Sequence, residues 1–123
     1  MAKIEAMNTY RNLIIWQKAM NLVTTTYEIT LQFPKTELYC LTDQMRRSAL
    51  SIPCNIAEGK ARNSNKDFIR YLRIALGSLF EYQTQLEIAK NVKYINEEQF
   101  HQLRNFSTEI EVMLVAFIKK INV

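Results

Sequence analysis

The chain has 123 residues, 48% of them hydrophobic, and a net charge of +4, which fits one domain with its own core. Two glycines and two prolines are too few for the many turns of an all-β protein. No apolar run approaches the roughly 20 residues that cross a bilayer, and the first residues lack the apolar core of a signal peptide, so we expect a cytoplasmic protein.

The first helix is predicted over residues 13–31, after a short N-terminal arm of residues 1–12. Asn12 is its expected N-cap. Phe33-Pro34 follows its expected end, because proline disfavours helical backbone in the residue before it. Apolar side chains recur every three or four residues and predict one buried face. This face comprises Leu13, Trp16, Met20, Val23, Tyr27 and Leu31.

The second helix is predicted to begin near Glu37, with Thr36 as its N-cap. Gly59 is either its stop signal or a point of close approach to another segment. Pro53 lies inside the pattern and lacks the N–H group of a normal helical residue. Because the apolar pattern continues in phase beyond it, we expect a helix kinked near Pro53 rather than two helices. The predicted buried face comprises Leu38, Leu41, Met45, Ala49, Ile52 and Ile56.

The third helix is predicted to begin after Ser64 and to end near Asn91, and the fourth opens with a capping box of Asn96 and Gln99. The third has the predicted buried face Phe68, Leu72, Ala75, Leu76, Leu79, Gln83 and Leu86. The fourth has Phe100, Leu103, Phe106, Ser107, Ile110, Leu114, Phe117 and Ile121. Four helices with short connections predict an all-α, antiparallel up-down-up-down four-helix bundle over residues 13–123.

Positive charge is concentrated between residues 44 and 75, where seven cations and two anions give +5. Such an imbalance is compatible with an anionic partner or with a solvated basic face. A nucleic acid would be bound through its phosphates, with Tyr71 or Tyr10 as candidates to stack on bases. The candidate nucleic-acid-binding residues are Arg46, Arg47, Lys60, Arg62, Lys66, Arg70 and Arg73.

A polar row adjoins the predicted buried face of the second helix. It comprises Gln44, Ser51, Asn55, Glu58 and Arg62. Two interpretations are open: simple exposure to solvent, or a polar contact with another helix or subunit.

The residue types needed for catalysis or metal binding are scarce. His101 is the single histidine, and a nucleophile–histidine pair needs a third group to orient it. Glu98 and His101 have the Glu-x-x-His spacing of di-iron bundles, but those use two such motifs. Two isolated glycines cannot form a phosphate-binding loop. We therefore expect no enzymatic activity, metal or cofactor.

Six segments resemble the 23S rRNA intervening-sequence protein family, bacterial four-helix bundles sometimes labelled ribosomal proteins. They are LIIWQKAM (13–20), FPKTE (33–37), QMRRSA (44–49), SIPCNIAEG (51–59), FIRYL (68–72) and ALGSLFE (75–81). Cys54 stands where serine is more usual in the family. The resemblance implies a ring-like homo-oligomer, with a pentamer expected, and no catalytic residues. It also implies a fold similar to the accessory variability protein of diversity-generating retroelements, which is a basic pentamer that binds nucleic acid and a reverse transcriptase.

The charge pattern and the resemblance lead to one preferred hypothesis. The protein is a non-enzymatic, oligomeric scaffold that binds nucleic acid, RNA in preference to DNA, through the basic surface of the second and third helices. The alternative is a protein–protein adaptor, for example for a reverse transcriptase, that does not touch nucleic acid. The sequence leaves both open.

Overall fold

The computed structural model describes residues 9–122, which contain four α-helices and no β-strand. The helices are α1 (Ile14–Thr30), α2 (Leu41–Lys60), α3 (Asn65–Asn91) and α4 (Glu97–Ile121). Short 3-10 turns, Tyr10–Asn12 and Lys35–Glu37, precede α1 and α2. The predicted all-helical fold is confirmed, while residues 1–8 of the proposed N-terminal arm lie outside the described part of the chain.

The helices pack as a square in which each contacts its neighbours in sequence and α4 closes on α1. Side-chain pairs show the antiparallel direction of α2 and α3, because Ser48 meets Gln85 whereas Ser51 meets Ser78. The start of α3 likewise meets the end of α4, where the Phe68 and Phe117 rings lie 5.5 Å apart. The up-down-up-down four-helix bundle is therefore confirmed, and no helix within residues 9–122 is long and apolar enough to cross a membrane.

The core follows most of the predicted apolar faces in α2, α3 and α4, although in α3 Tyr82 is buried and the predicted Gln83 is only half-buried. Ala49, Leu72 and Leu114 are fully buried at their centres, as expected. The face predicted for α1 is wrong by about one residue step, since Met20, Tyr27 and Leu31 are exposed. Small and hydroxylated side chains occupy part of the buried face of α1 instead. The buried residues of α1 are Ile15, Ala19, Leu22, Val23, Thr26 and Thr30.

Two helix starts differ from the sequence prediction. Leu13, not Asn12, is the N-cap of α1. Residues 35–37 form a separate 3-10 turn and α2 begins at Leu41, so Thr36 does not cap it and Leu38 is exposed. The capping box at the start of α4 and the Ser64 cap of α3 are confirmed. The α2 helix continues through Pro53 without interruption, and its kink stays a prediction.

One buried hydrogen bond joins α1 to α3 across the core. The hydroxyls of Tyr82 and Thr26 lie 2.6 Å apart, and Tyr82 is fully buried. The Thr26 hydroxyl donates its single hydrogen to the Leu22 carbonyl at 2.7 Å, so Tyr82 is the donor to Thr26. Burial of its hydroxyl raises the pKa of Tyr82 well above the ordinary value of 10.0.

Tyr82 makes stability depend on pH in the alkaline range. Above pH 10 the unfolded chain releases the Tyr82 proton while the folded chain keeps it. The free energy of unfolding should therefore fall above pH 10 by up to about 1.4 kcal/mol per pH unit, and be unaffected by this group below that pH. The Tyr82→Phe variant should have a free energy of unfolding about 1 kcal/mol lower at pH 7, and this free energy should not fall above pH 10 through residue 82. Urea unfolding of both proteins from pH 8 to 11 should show converging stabilities, and parallel profiles would contradict the assignment.

Candidate nucleic-acid interface

The seven candidate nucleic-acid-binding cations lie in two groups. Lys60, Arg62, Lys66, Arg70 and Arg73 lie where α2 ends and α3 begins, whereas Arg46 and Arg47 lie near the start of α2. The 14 residues from Arg46 to Lys60 correspond to about 21 Å along the helix. Five of the candidate cations therefore lie at one end of the bundle and two lie towards the other, and their binding of nucleic acid stays a prediction.

The two cations near the start of α2 interact with their own chain. Arg46 is half-buried; its Nε donates to Thr30 Oγ1 at 2.9 Å, and its guanidinium lies 4.6 Å from the centroid of the Tyr27 ring. Arg47 forms an ion pair of 3.0 Å with Asp43 one turn earlier. Arg46 thus packs α2 against α1, and neither residue adds to the charge at the far end.

A close contact between α2 and α3 positions the remaining five cations. Gly59 is buried in the last turn of α2, and a Cβ atom there would lie only 2.6 Å from Tyr71 Cβ. Without a side chain at this position, the start of α3 can approach the end of α2. The two helix ends therefore present their cations side by side.

Around this contact, Arg62 is held by α2 and α3 together. Its Nη2 donates to the Tyr71 hydroxyl at 2.6 Å and lies 3.2 Å from Glu58 Oε1. The guanidinium groups of Arg62 and Arg70 each lie 5.0 Å from the centroid of the Tyr71 ring. The other four cations of this group make no ion pair with residues 9–122, and two of them are Lys60 and Arg70. The other two are Lys66 and Arg73.

Two further segments, the end of α4 and the turn before α1, add cations that the sequence prediction did not include. Antiparallel packing brings Lys119 and Lys120, in the last turn of α4, and Arg11, in the turn before α1, to the same end of the bundle. Together with the end of α2 and the start of α3, they form what we call the basic end, residues 9–16, 58–73 and 114–122. It contains eight cations and the anions Glu58 and Asp67, a net charge of +6.

The signal for these lysines was present in the sequence. The predicted up-down-up-down topology already placed the end of the fourth helix beside the start of the third. Lys119 and Lys120 are far from residues 44–75 in the sequence, so a count of charge along the chain does not group them with that segment. Their positions in the bundle do.

The polar row of α2 mainly faces α3. Ser51 Oγ lies 2.8 Å from Ser78 Oγ, and Asn55 Nδ2 donates to the Ser51 carbonyl and hydroxyl at 2.8 and 2.9 Å. Buried Ser48, between this row and the core, lies 2.7 Å from Gln85 Oε1. Gln44 is exposed. Ser51 and Arg62 of the row thus contact α3, whereas Asn55 bonds within α2, and the subunit contact stays a prediction.

The aromatic rings at the basic end are already in contact with side chains of this chain. Besides the guanidinium groups near Tyr71, Tyr10 packs edge-on against Trp16 at 4.9 Å and lies 5.6 Å from the Arg11 guanidinium. Phe68 and Phe117 pack against each other. The structure therefore favours contacts to phosphates over stacking on bases at this end.

The residues considered for other chemistry do not come together. His101 is exposed, and its Nε2 lies 3.6 Å from Glu97, one turn earlier on α4. In the described part of the chain, no three histidine, cysteine, aspartate or glutamate side chains are grouped so that they could hold a metal ion.

The fold places the chain in the class of four-helix-bundle proteins, and its positive charge is concentrated at one end of the bundle. Comparison with known proteins is more specific. The sequence model of the 23S rRNA-intervening sequence protein family matches residues 11–116, and the chain belongs to that family. The family predicted from the sequence is thereby confirmed.

A solved structure shares the fold over nearly its whole length. The crystal structure of a protein of unknown function from the S23 ribosomal protein family of Bacteroides thetaiotaomicron is 30% identical in sequence, with a TM-score of 0.78. The similarity covers 86% of this chain and 99% of that chain. No curated protein matches the sequence.

Proposed function

We propose that the protein is a non-enzymatic, homo-oligomeric scaffold that binds RNA through the basic end. The observation that carries this proposal is the net charge of +6 gathered there from three parts of the chain, against +4 for the whole protein. The remainder of the chain is net negative, so an anionic ligand is attracted to one end only. The family name refers to an intervening sequence of 23S rRNA, so RNA is the nucleic acid to test first.

The state of the charges at this end suits a phosphate ligand. Lys66, Arg70 and Arg73 are exposed and have no carboxylate partner among the described residues, so binding does not require breaking an ion pair. Cations bound to phosphates release counterions from the nucleic acid, and this release makes the affinity depend steeply on salt.

Filter binding of the purified protein to an RNA hairpin at 50 and 200 mM salt tests RNA binding. We expect binding at the lower salt and a loss of about 10²–10⁴-fold at the higher, as for five or more phosphate contacts. An absence of binding at 50 mM salt would refute the proposal. Equal binding at both salts would refute the basic end as its basis.

The oligomeric part of the proposal is supported by α1 and the turn after it. Met20 and Tyr27 are exposed on α1, and Leu31 and Tyr39 are 79% and 88% exposed. A second copy of the chain is the occupant that we propose for this apolar face, with a bacterial, cytoplasmic pentamer as the expected form. Light scattering at micromolar concentration that detects only monomers would contradict it.

A protein adaptor is the second candidate because α3 also has exposed apolar side chains. Ile74, Phe80 and Ile88 are each more than two-fifths exposed. A partner protein, for example a reverse transcriptase, would cover them. Co-purification of a defined partner that survives nuclease treatment, from a protein that fails the RNA titration, would favour this function.

A further inference from the structure

The last turn of α4 lies against the start of α3. The Phe68–Phe117 ring contact joins the two helices, and Arg73 and Lys119 line one groove with an apolar floor of Leu76, Val115 and Ile118. On the other side of α4, Lys120 lines a second groove with residues of the turn before α1. The basic end is thus a broad surface shared by α2, α3 and α4, rather than a single row along one helix.

The width of this basic surface and the state of its aromatic rings favour double-helical RNA over single-stranded RNA as the ligand. Proteins that bind single strands combine a basic groove that follows one backbone with aromatic side chains on which bases stack. At the basic end the ring of Tyr71 is engaged by two arginines and that of Tyr10 by Trp16. The more exposed Tyr39 and Phe80 lie outside the basic end. Double-helical RNA needs no stacking platform, because proteins contact its phosphates and 2′-hydroxyls.

We infer that the ligand of the basic end is double-helical RNA, whose backbone is contacted by Lys119 and Lys120 of α4 as well as by the cations of α2 and α3. This inference rests on the proposed function and specifies its ligand. Lys119 and Lys120 also complement the C-terminal end of the α4 dipole. Their role in binding must therefore be measured separately from their effect on stability.

The first experiment compares a 20-base-pair RNA duplex with an unstructured 20-nucleotide oligouridine at about 0.1 M salt. The salt slope is about 0.9 per phosphate contact for a duplex and about 0.7 for a single strand, so five contacts predict about tenfold tighter binding of the duplex. Equal or tighter binding of oligouridine would overturn the inference and leave RNA binding itself intact. Failure of both RNAs to bind would refute the proposed function as well.

The second experiment assigns the α4 lysines. The K119Q/K120Q variant should bind the duplex about 60-fold more weakly at 0.1 M salt, with a salt slope lower by about 1.8. The K35Q/K93Q control loses the same charge at the opposite end and should keep the wild-type slope. A merely structural role would lower the melting temperature without changing the slope. A wild-type salt dependence of the affinity in K119Q/K120Q would therefore show that the α4 lysines do not contact the RNA.

Discussion

Replacing Gly59 by alanine should destabilise the protein by about 1–2 kcal/mol, although alanine is the better helix former. The added Cβ would lie 2.6 Å from Tyr71 Cβ and 3.0 Å from Phe68 Cδ1. Tyr71 Cβ is bonded to the backbone of α3, so the helices must move apart. Such overpacking costs about 1–3 kcal/mol, and a clash between two Cβ atoms places Gly59 in the upper part of that range. The gain in helix propensity of about 1 kcal/mol offsets only part of this cost.

The other glycine provides a matched control. Gly77 is exposed in the middle of α3, and a Cβ there would meet nothing within 4 Å. Gly77→Ala should therefore stabilise the protein by up to about 1 kcal/mol through helix propensity alone. Urea unfolding of both variants measures the difference, expected to be about 2–3 kcal/mol. Similar stabilisation of both would show that α2 and α3 do not approach closely at Gly59.

The fold could be predicted because hydrophobic burial has a helical period in three of the four helices. The α2 residues that recur at three- and four-residue steps are fully buried, namely Met45, Ala49, Ile52 and Ile56. The helix starts at Ser64 and Asn96 could be recognised because the side-chain oxygen of each N-cap accepts a hydrogen bond from a backbone N–H of the first turn.

The buried face of α1 was not predictable from hydrophobicity, because this helix has apolar side chains on two faces. Ala19, Thr26 and Thr30 are buried where larger residues were expected. The two threonines satisfy their hydroxyls within the helix, Thr26 on the Leu22 carbonyl and Thr30 on the Thr26 carbonyl. Intrahelical bonds of this kind leave no trace in an apolar pattern. They account for buried threonines on one face of α1 while Met20, Tyr27 and Leu31 are exposed on another.

The candidate site was only partly predictable for a related reason. Sequence identified the cations of α2 and α3, but whether a cation is available depends on its neighbours in space. Arg46 lies against Tyr27 of α1, whereas Arg73 shares a groove with Lys119 of α4. Neither contact follows from helix periodicity. Of the seven candidate cations, the topology and the contacts leave five at the basic end. Three cations from α4 and the turn before α1 join them there.

Removing three of those cations should cause the largest loss of RNA binding. In the K66Q/R70Q/R73Q variant, three exposed side chains without carboxylate partners in the described chain lose their charge. If each contacts a phosphate, the salt slope should fall by about 2–2.7 and the affinity at 0.1 M salt by about 10²–10³-fold. Circular dichroism should show an unchanged helical fold, since none of the three side chains is buried.

A control that removes equal charge separates location from total charge. The K35Q/K93Q/R104Q variant also loses three positive charges, all outside the basic end and towards the opposite end of the bundle. Long-range attraction alone would weaken binding similarly in both variants, because each lowers the net charge of the chain from +4 by the same amount. Direct phosphate contacts at the basic end require the wild-type salt slope in the control and a reduced slope in K66Q/R70Q/R73Q. Equal slopes in the two variants would mean that RNA is attracted by the protein's overall charge, and that the basic end is not its binding surface.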